Sequence, residues 1–371
     1  MSATAAPPAA SSASVLDGHG LSRDTLAQIA DASLDTDRSA TDLRPLLRRL
    51  GSEGRADLGL PGASGPLTQQ VAVIARIARE CMASAFSLWA QRLASEYVVA
   101  HGGPSLQALG VRLRTGETPG VSAMAPAFRH VAGIATAPIT FRREGDELVL
   151  DGPVSWASNL HDDAVIVAVA RPETDSVDGA GGGQGPIIVV VPVATPGLTV
   201  RPADGLLALD STRSGSVRLS SVRVPASHIV SEDLPAFVDA IRPVFLSLQA
   251  SFCTGLGAAA LDAAPAPKGV AQAFEPERER LVVEQARVET TLVDLADRAS
   301  GDSPPEASEY LRLRLDAALF AGAACRLELC LTGGRGYVAS SATARRTREA
   351  LFLPIQSPTE SELRWMLSRS A

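Results

Sequence analysis

The spacing of apolar residues changes twice along this chain, and that double change limits what the chain can fold into. From residue 15 to about 118, apolar side chains recur every three or four positions. The longest such run, LTQQVAVIARIARECMASAFSLWAQRLASEYVVAHGG, predicts continuous helix ending on Gly102-Gly103. From about 119 to 235 the pattern alternates. FRREGDELVLDGPVSWAS carries turn signals at Glu144-Gly145 and Asp151-Gly152. It leads into DDAVIVAVARP, PIIVVVPV and GSVRLSSVRVP, all strand-like. From about 236 to 371 helical spacing returns, in RLVVEQARVETTLVDLADRAS and in SEYLRLRLDAALFAGAACRLELCLTGGRGY, which stops at Gly333-Gly334. The expected class is α+β multidomain: a helical domain at 15–118, a β domain at 119–235 and a second helical domain at 236–371.

Composition narrows the function. Hydrophobic residues make up 46% and charged residues 20% of the 371-residue chain, enough for a sizeable core. A net charge of -7 disfavours a nucleic-acid partner, which needs a basic surface. No apolar run reaches the ~18 residues of a membrane span, so no membrane role is expected. Residues 1–14 are small and Pro-rich and read as a disordered tail; DSVDGAGGGQG, between two strands, reads as a flexible loop. Cys81, Cys253, Cys325 and Cys330 fit neither a disulfide framework nor a zinc pattern, which predicts a reducing cytoplasm and no metal.

Several short stretches carry chemistry. Trp156-Ala157-Ser158-Asn159 follows a predicted hairpin and offers a flat apolar wall beside a hydroxyl that both donates and accepts. The plainer reading is a tryptophan packed on the β core. Gly333-Gly334 removes side chains where a backbone can approach a ligand, though a helix C-cap needs only one glycine. Gln356-Ser357-Pro358-Thr359 lies near the C-terminus, and VSAMAPAFRHVAG opens the β unit. Of the histidines, His101 ends a helix, where a cation suits the dipole. His161 stands by Asp162-Asp163 as a solvated turn, and His228 follows a strand. His130 is the one to test for catalysis.

The block order and these motifs resemble the acyl-CoA dehydrogenase superfamily over nearly the whole chain after the tail. The resemblance implies a flavin, FAD first, with FMN or loosely held reduced flavin as alternatives. It implies that Trp156, Ser158, Asn159, Ser122, Gly333, Gly334 and Thr359 hold the cofactor. It also implies a homodimer or homotetramer, since the family shares flavin across subunits. Three departures follow. Counting from Gly333-Gly334 puts Ser357 where the family's dehydrogenases carry their proton-abstracting Glu, and a hydroxyl is no base near neutral pH. Losing a positioned base costs ~10²–10⁴ in rate. Ala123, Met124 and Ala125 replace the family's Thr-Glu-Pro, and Phe128-Arg129 replace its Gly-Ser, which questions thioester recognition. The family's pyrophosphate-gripping Arg is missing, with Lys268 or Arg278 as candidate substitutes.

One branch of the superfamily uses reduced flavin from a separate reductase to activate O₂, and needs a dry pocket rather than an α-proton base. The expected function is therefore a flavin-dependent monooxygenase or oxidase acting on a small organic, biosynthetic substrate. Ser357, Ser158 and His130 are the candidate catalytic residues, and Trp89, Phe252 and Gln356 line the substrate pocket. Two alternatives stand: an acyl-CoA dehydrogenase with Glu360 as base, and an inactive member acting as a binding protein.

Overall fold

The computed structural model describes residues 15–38, 41–173, 185–299, 301 and 305–369. The expected tail at 1–14 and most of the glycine-rich loop lie outside these. Five helices come first: α1 (Arg23–Arg38), α2 (Arg44–Ser52), α3 (Leu67–Glu80), α4 (Met82–His101) and α5 (Gln107–Arg114). Then come β1 (Gly120–Ala123), the short α6 (Ala125–Val131), β2 (Thr140–Glu144), β3 (Glu147–Ala157), β4 (Val165–Pro172) and β5 (Ile187–Pro192). The β unit ends with β6 (Leu198–Pro202), β7 (Gly215–Pro225) and β8 (Ile229–Ser231). Five more helices follow: α7 (Leu234–Ala263), α8 (Glu275–Arg298), α9 (Ala307–Thr332), α10 (Ala342–Ala350) and α11 (Glu360–Arg369).

The strands run in the order β6-β7-β3-β2-β4-β5-β8, with β1 parallel to β4. Two groups, β6-β7-β3-β2 and β1-β4-β5-β8, are hydrogen-bonded to each other through the short β2–β4 pairing and enclose one core of Phe141, Leu148, Ile166, Val189 and Val217. The second face of β4 and β5 is also buried: Val165, Val167, Ile188 and Val190 join the helical core. Burial on both faces explains why these two strands read as unbroken apolar runs while β3 and β7 alternate.

Two local expectations change. The long helical run breaks at Cys81, whose extended backbone (φ -156, ψ 111) separates α3 from α4. The reason is distant in sequence. The buried Glu349 carboxylate, on α10, accepts the Met82 N–H at 3.2 Å and the Arg345 guanidinium at 2.9 Å, so α4 begins on a carboxylate. Burial pushes the Glu349 carboxyl up, opposed by Arg345. Asp151-Gly152 is no turn: it is a bulge inside β3, where Gly152 adopts φ 137 and a Cβ would lie 2.5 Å from Pro138 O. Glu144-Gly145 does form the β2–β3 turn.

Helix α7 is the spine of the second bundle. By length and composition it is apolar enough to cross a bilayer, contrary to expectation, but 89% of its most apolar window is buried inside the fold. It lies against α3, α8 and α9. Gly255 permits the close approach to α3, since a Cβ there would sit 2.1 Å from Ala75 O. The general helix preference for Ala over Gly is about 1 kcal/mol, whereas overpacking against fixed backbone costs about 1–3 kcal/mol or more. Gly255→Ala should therefore destabilise by about 2 kcal/mol. Gly322, in α9, has nothing within 4 Å of a built Cβ, so Gly322→Ala should stabilise by up to about 1 kcal/mol. Urea unfolding of the two variants checks both signs.

Candidate active site

A cavity of about 600 Å³ opens where α4, the ends of β1 and β3, the 206–214 loop, α7 and the 351–357 loop converge. That volume suits a small-molecule or cofactor site. Its floor is aromatic. Phe86 and Trp89 stack at 5.0 Å, and Phe245 meets Trp89 edge-on at 5.3 Å. Its outer wall carries Trp156, 54% exposed, with Leu207 and Ile355. The buried indole N–H of Trp89 has no partner among the described residues. Of the lining residues only Arg129 and Arg348 are charged; none of those described is a carboxylate or an imidazole.

The end of β3 is held by Asn159, in the left-handed region at φ 62. Its amide donates to Ser87 O at 2.9 Å and Gly120 O at 3.2 Å, and its backbone N–H to Thr212 O at 2.7 Å. Asn159 thus braces the strand rather than facing the cavity. Ser158, just before it, does line the cavity, and its hydroxyl meets that of Ser214 at 2.6 Å. Ser122 lines it from β1, 2.9 Å from the Tyr97 hydroxyl; burial pushes the Tyr97 phenol up, so it stays neutral.

The C-terminal loop is placed by Arg314, fully buried in α9. Its guanidinium donates to Gln249 Oε1 at 3.0 Å, Gln356 Oε1 at 2.9 Å and Leu353 O at 3.2 Å. Gln249 in turn donates to Ser357 O at 2.9 Å. This brings Gln356 and Ser357 onto the cavity wall. The Ser357 hydroxyl points its proton to Glu362 at 3.4 Å. Glu362 also accepts the Thr359 N–H at 2.7 Å and pairs with Arg129. Glu360 pairs with Arg364 along α11 and does not line the cavity.

Ser122, Trp156, Ser158, Trp89, Gln356 and Ser357 therefore share one cavity. Asn159, His130, Phe252, Thr359, Gly333 and Gly334 are not on its wall. Phe252 packs behind Trp89 at 6.2 Å, and His130 accepts the Ala137 N–H at 3.3 Å. Gly333 and Gly334 sit at the exposed end of α9 with open space around them. Arg278 donates to Ala264 O, and neither it nor Lys268 reaches the cavity. Two histidines depart from expectation. His161 is buried, not solvated, and burial lowers its pKa, helped by Arg44. His101 is lowered by burial against Phe237, so it adds no cation to its helix end. Phe86, Phe245, Arg129 and the hydroxyls of Thr212 and Ser214 were not foreseen as wall residues; the hydroxyl-rich DSTRSGS between two strands was the available signal.

Helices, two packed β groups and a second helical bundle around such a cavity form the architecture of acyl-CoA dehydrogenases. Butyryl-CoA dehydrogenase from Megasphaera elsdenii superposes with a TM-score of 0.81 at 16% identity, covering 96% of each chain. A glutaryl-CoA dehydrogenase from Mycobacterium smegmatis in complex with FADH2 gives a TM-score of 0.78 at 18% identity, covering 94% of this chain and 93% of that one. In sequence, human mitochondrial short-chain specific acyl-CoA dehydrogenase is 26% identical over 246 residues, 62% of this chain and 58% of the relative. The match thus spans little more than half the length of that relative. No family model matches. The chain therefore has the acyl-CoA dehydrogenase fold, and about three fifths of its sequence is similar to curated members of that group.

Asn159→Ala removes two amide hydrogen bonds and sets an alanine at φ 62. It should destabilise by about 3 kcal/mol. Asn159→Gly loses the same bonds without the backbone penalty and should be about 1 kcal/mol less damaging. Denaturant melts of the pair separate the two contributions.

Proposed function

We propose that this chain is a flavin-dependent oxidoreductase working as a monooxygenase or oxidase, with reduced flavin and O₂, on a small organic substrate of biosynthetic metabolism. One observation carries the reading: among the described residues lining the cavity there is no carboxylate and no imidazole, and Ser357 stands on its wall. Thioester dehydrogenation requires a group that removes an α-proton, and a serine hydroxyl does not ionise near neutral pH.

The residues present fit a flavin. Trp156 and Leu207 offer the apolar faces that a flat ring needs, Ser158 and Ser122 offer hydroxyls, and the unpartnered Trp89 N–H awaits an acceptor. Among the described residues Arg129 bonds Glu362 through its Nε, and its Nη groups are placed to serve a phosphate. FAD is the favoured form, with FMN or loosely held reduced flavin as alternatives. Bound flavin supplies two-electron redox chemistry and, once reduced, reaction with O₂. The protein's part is to exclude water with its aromatic floor and to hold a hydroxyl, Ser357, at the wall. A separate reductase would supply the electrons. A homodimer or homotetramer in the cytoplasm completes the reading, the latter supported by four free cysteines.

The dehydrogenase alternative with Glu360 as base has less support, because that carboxylate faces Arg364 outside the cavity. The inactive binding-protein alternative is tested by flavin uptake. Purified protein should take up FAD or FMN. Mixed anaerobically with a panel of acyl-CoA thioesters, the loaded protein should keep its visible flavin absorption; bleaching would establish dehydrogenation instead. With NAD(P)H, a reductase, O₂ and a substrate, Ser357→Ala should slow product formation roughly tenfold, the loss of about one hydrogen bond, and release more peroxide. Unchanged coupling would remove Ser357 from the site.

A further inference from the structure

Arg314 fixes which way two glutamines face. A guanidinium only donates, so each amide it meets must turn its oxygen inward. Gln249 gives Oε1 to Arg314 Nε at 3.0 Å, and Gln356 gives Oε1 to Arg314 Nη2 at 2.9 Å. The two NH2 groups then point away from the charge. That of Gln249 finds an acceptor, Ser357 O, at 2.9 Å. That of Gln356 has none among the described residues. Gln356 is 6% exposed and stands on the cavity wall, and its Nε2 is not sealed from solvent, so the free N–H faces the open space of the cavity.

Charge reinforces this donor. Arg314 is fully buried, its acceptors are neutral, and its Nη1 has no partner among the described residues. A hydrogen bond accepted at Oε1 polarises the N–H on the other side of the amide, so the buried charge is felt at the wall. The charged residues on the described wall, Arg129 and Arg348, are also cations. Each has an acid of its own, Glu362 and Asp37, whereas Arg314 has none among the described residues. An ammonium group is therefore repelled here. A neutral carbonyl gains less than an anion, because hydrogen bonds to a charged group are roughly twice as strong. One planar amide suits a carboxylate; a phosphate brings more oxygens and more charge than one amide satisfies.

We propose that Gln356 Nε2 is the donor that recognises a carboxylate on the substrate, with Arg314 as the buried residue that positions and polarises it. The inference adds a substrate class, a small organic acid, to the oxidoreductase reading, and rests on that reading only for calling the bound acid a substrate.

The test is equilibrium binding of hexanoate, hexanamide, hexylamine and hexyl phosphate at neutral pH, on protein with and without FAD. Calorimetry and the fluorescence of Trp89 and Trp156, both on the cavity wall, read the binding. Wild type should bind hexanoate about tenfold more tightly than the other probes. Gln356→Glu keeps a partner for Arg314 and removes the donor. It should weaken hexanoate about tenfold or more and change hexanamide less than about threefold. Gln356→Met removes the donor without adding charge; it should likewise erase the preference for hexanoate, and carries the test if the first variant fails to fold. A loosened loop alone would weaken all probes together. Equal weakening of hexanoate and hexanamide, or unchanged hexanoate binding in the folded variants, would overturn the inference. So would wild type that binds none of the probes, or prefers the amide, the amine or the phosphate; flavin uptake by that protein would leave the flavin reading standing. A preference for hexanoate in protein that takes up neither FAD nor FMN would keep the carboxylate site and end the flavin reading.

Discussion

Two buried side-chain amides hold the seam on which this structure depends. Gln91, on α4, donates to Leu113 O at 2.7 Å and Thr118 O at 2.9 Å, and accepts the Gly120 N–H at 2.7 Å. Asn159 donates across the same seam to Ser87 O and Gly120 O. Between them they bond backbone groups of α4, of the segment that leads into β1 and of β1 itself, where these meet the end of β3. An unpaired buried carbonyl or N–H costs about 1–3 kcal/mol, so this seam has one good register. That register sets Trp89 and Phe86 beneath the cavity and Trp156 and Ser158 at its side.

The electrostatics of the site follow from where charge is neutralised. Glu328 is paired with Arg346, Glu349 with Arg345 and Asp37 with Arg348, all largely buried. These acids are committed to joining α10 to its neighbours. Arg314 is the opposite case: a buried guanidinium whose acceptors among the described residues, Gln249, Gln356 and Leu353 O, are all neutral. Burying a charge among dipoles is costly, and what it secures here is the position of the loop that walls the cavity. The cavity keeps the sign of its arginines and gains no carboxylate.

Much of the architecture was legible because it depends on local periodicity. The switch of spacing near 119 and its return near 236 mark the strands between β1 and β8, and Gly145 marks a turn that forms. What escaped depends on contacts far apart in the chain. Cys81 breaks a helix because Glu349, 268 positions later, supplies the cap for Met82. Gly152 reads as a turn by composition but is a bulge because Pro138 passes close above it. His161 beside two aspartates reads as solvated, yet the fold covers it. At the site, the tryptophan and serine of the Trp-Ala-Ser-Asn stretch line the cavity, while its asparagine turns to the seam. Residue type alone does not distinguish a bracing amide from a ligand-facing one.

The serine at 357 becomes intelligible in this light. The loop that carries it is located through backbone oxygens and a glutamine: Arg314 holds Leu353 O and Gln356, and Gln249 holds Ser357 O. None of these contacts involves the side chain at 357. A position fixed through its backbone can change its side chain without moving the loop. The side chain itself faces Glu362, which accepts the Ser357 hydroxyl at 3.4 Å, so a carboxylate at 357 would meet like charge where the hydroxyl does not. In this chain the loop presents a neutral hydroxyl, and the charge on the described part of the cavity wall comes from Arg129 and Arg348.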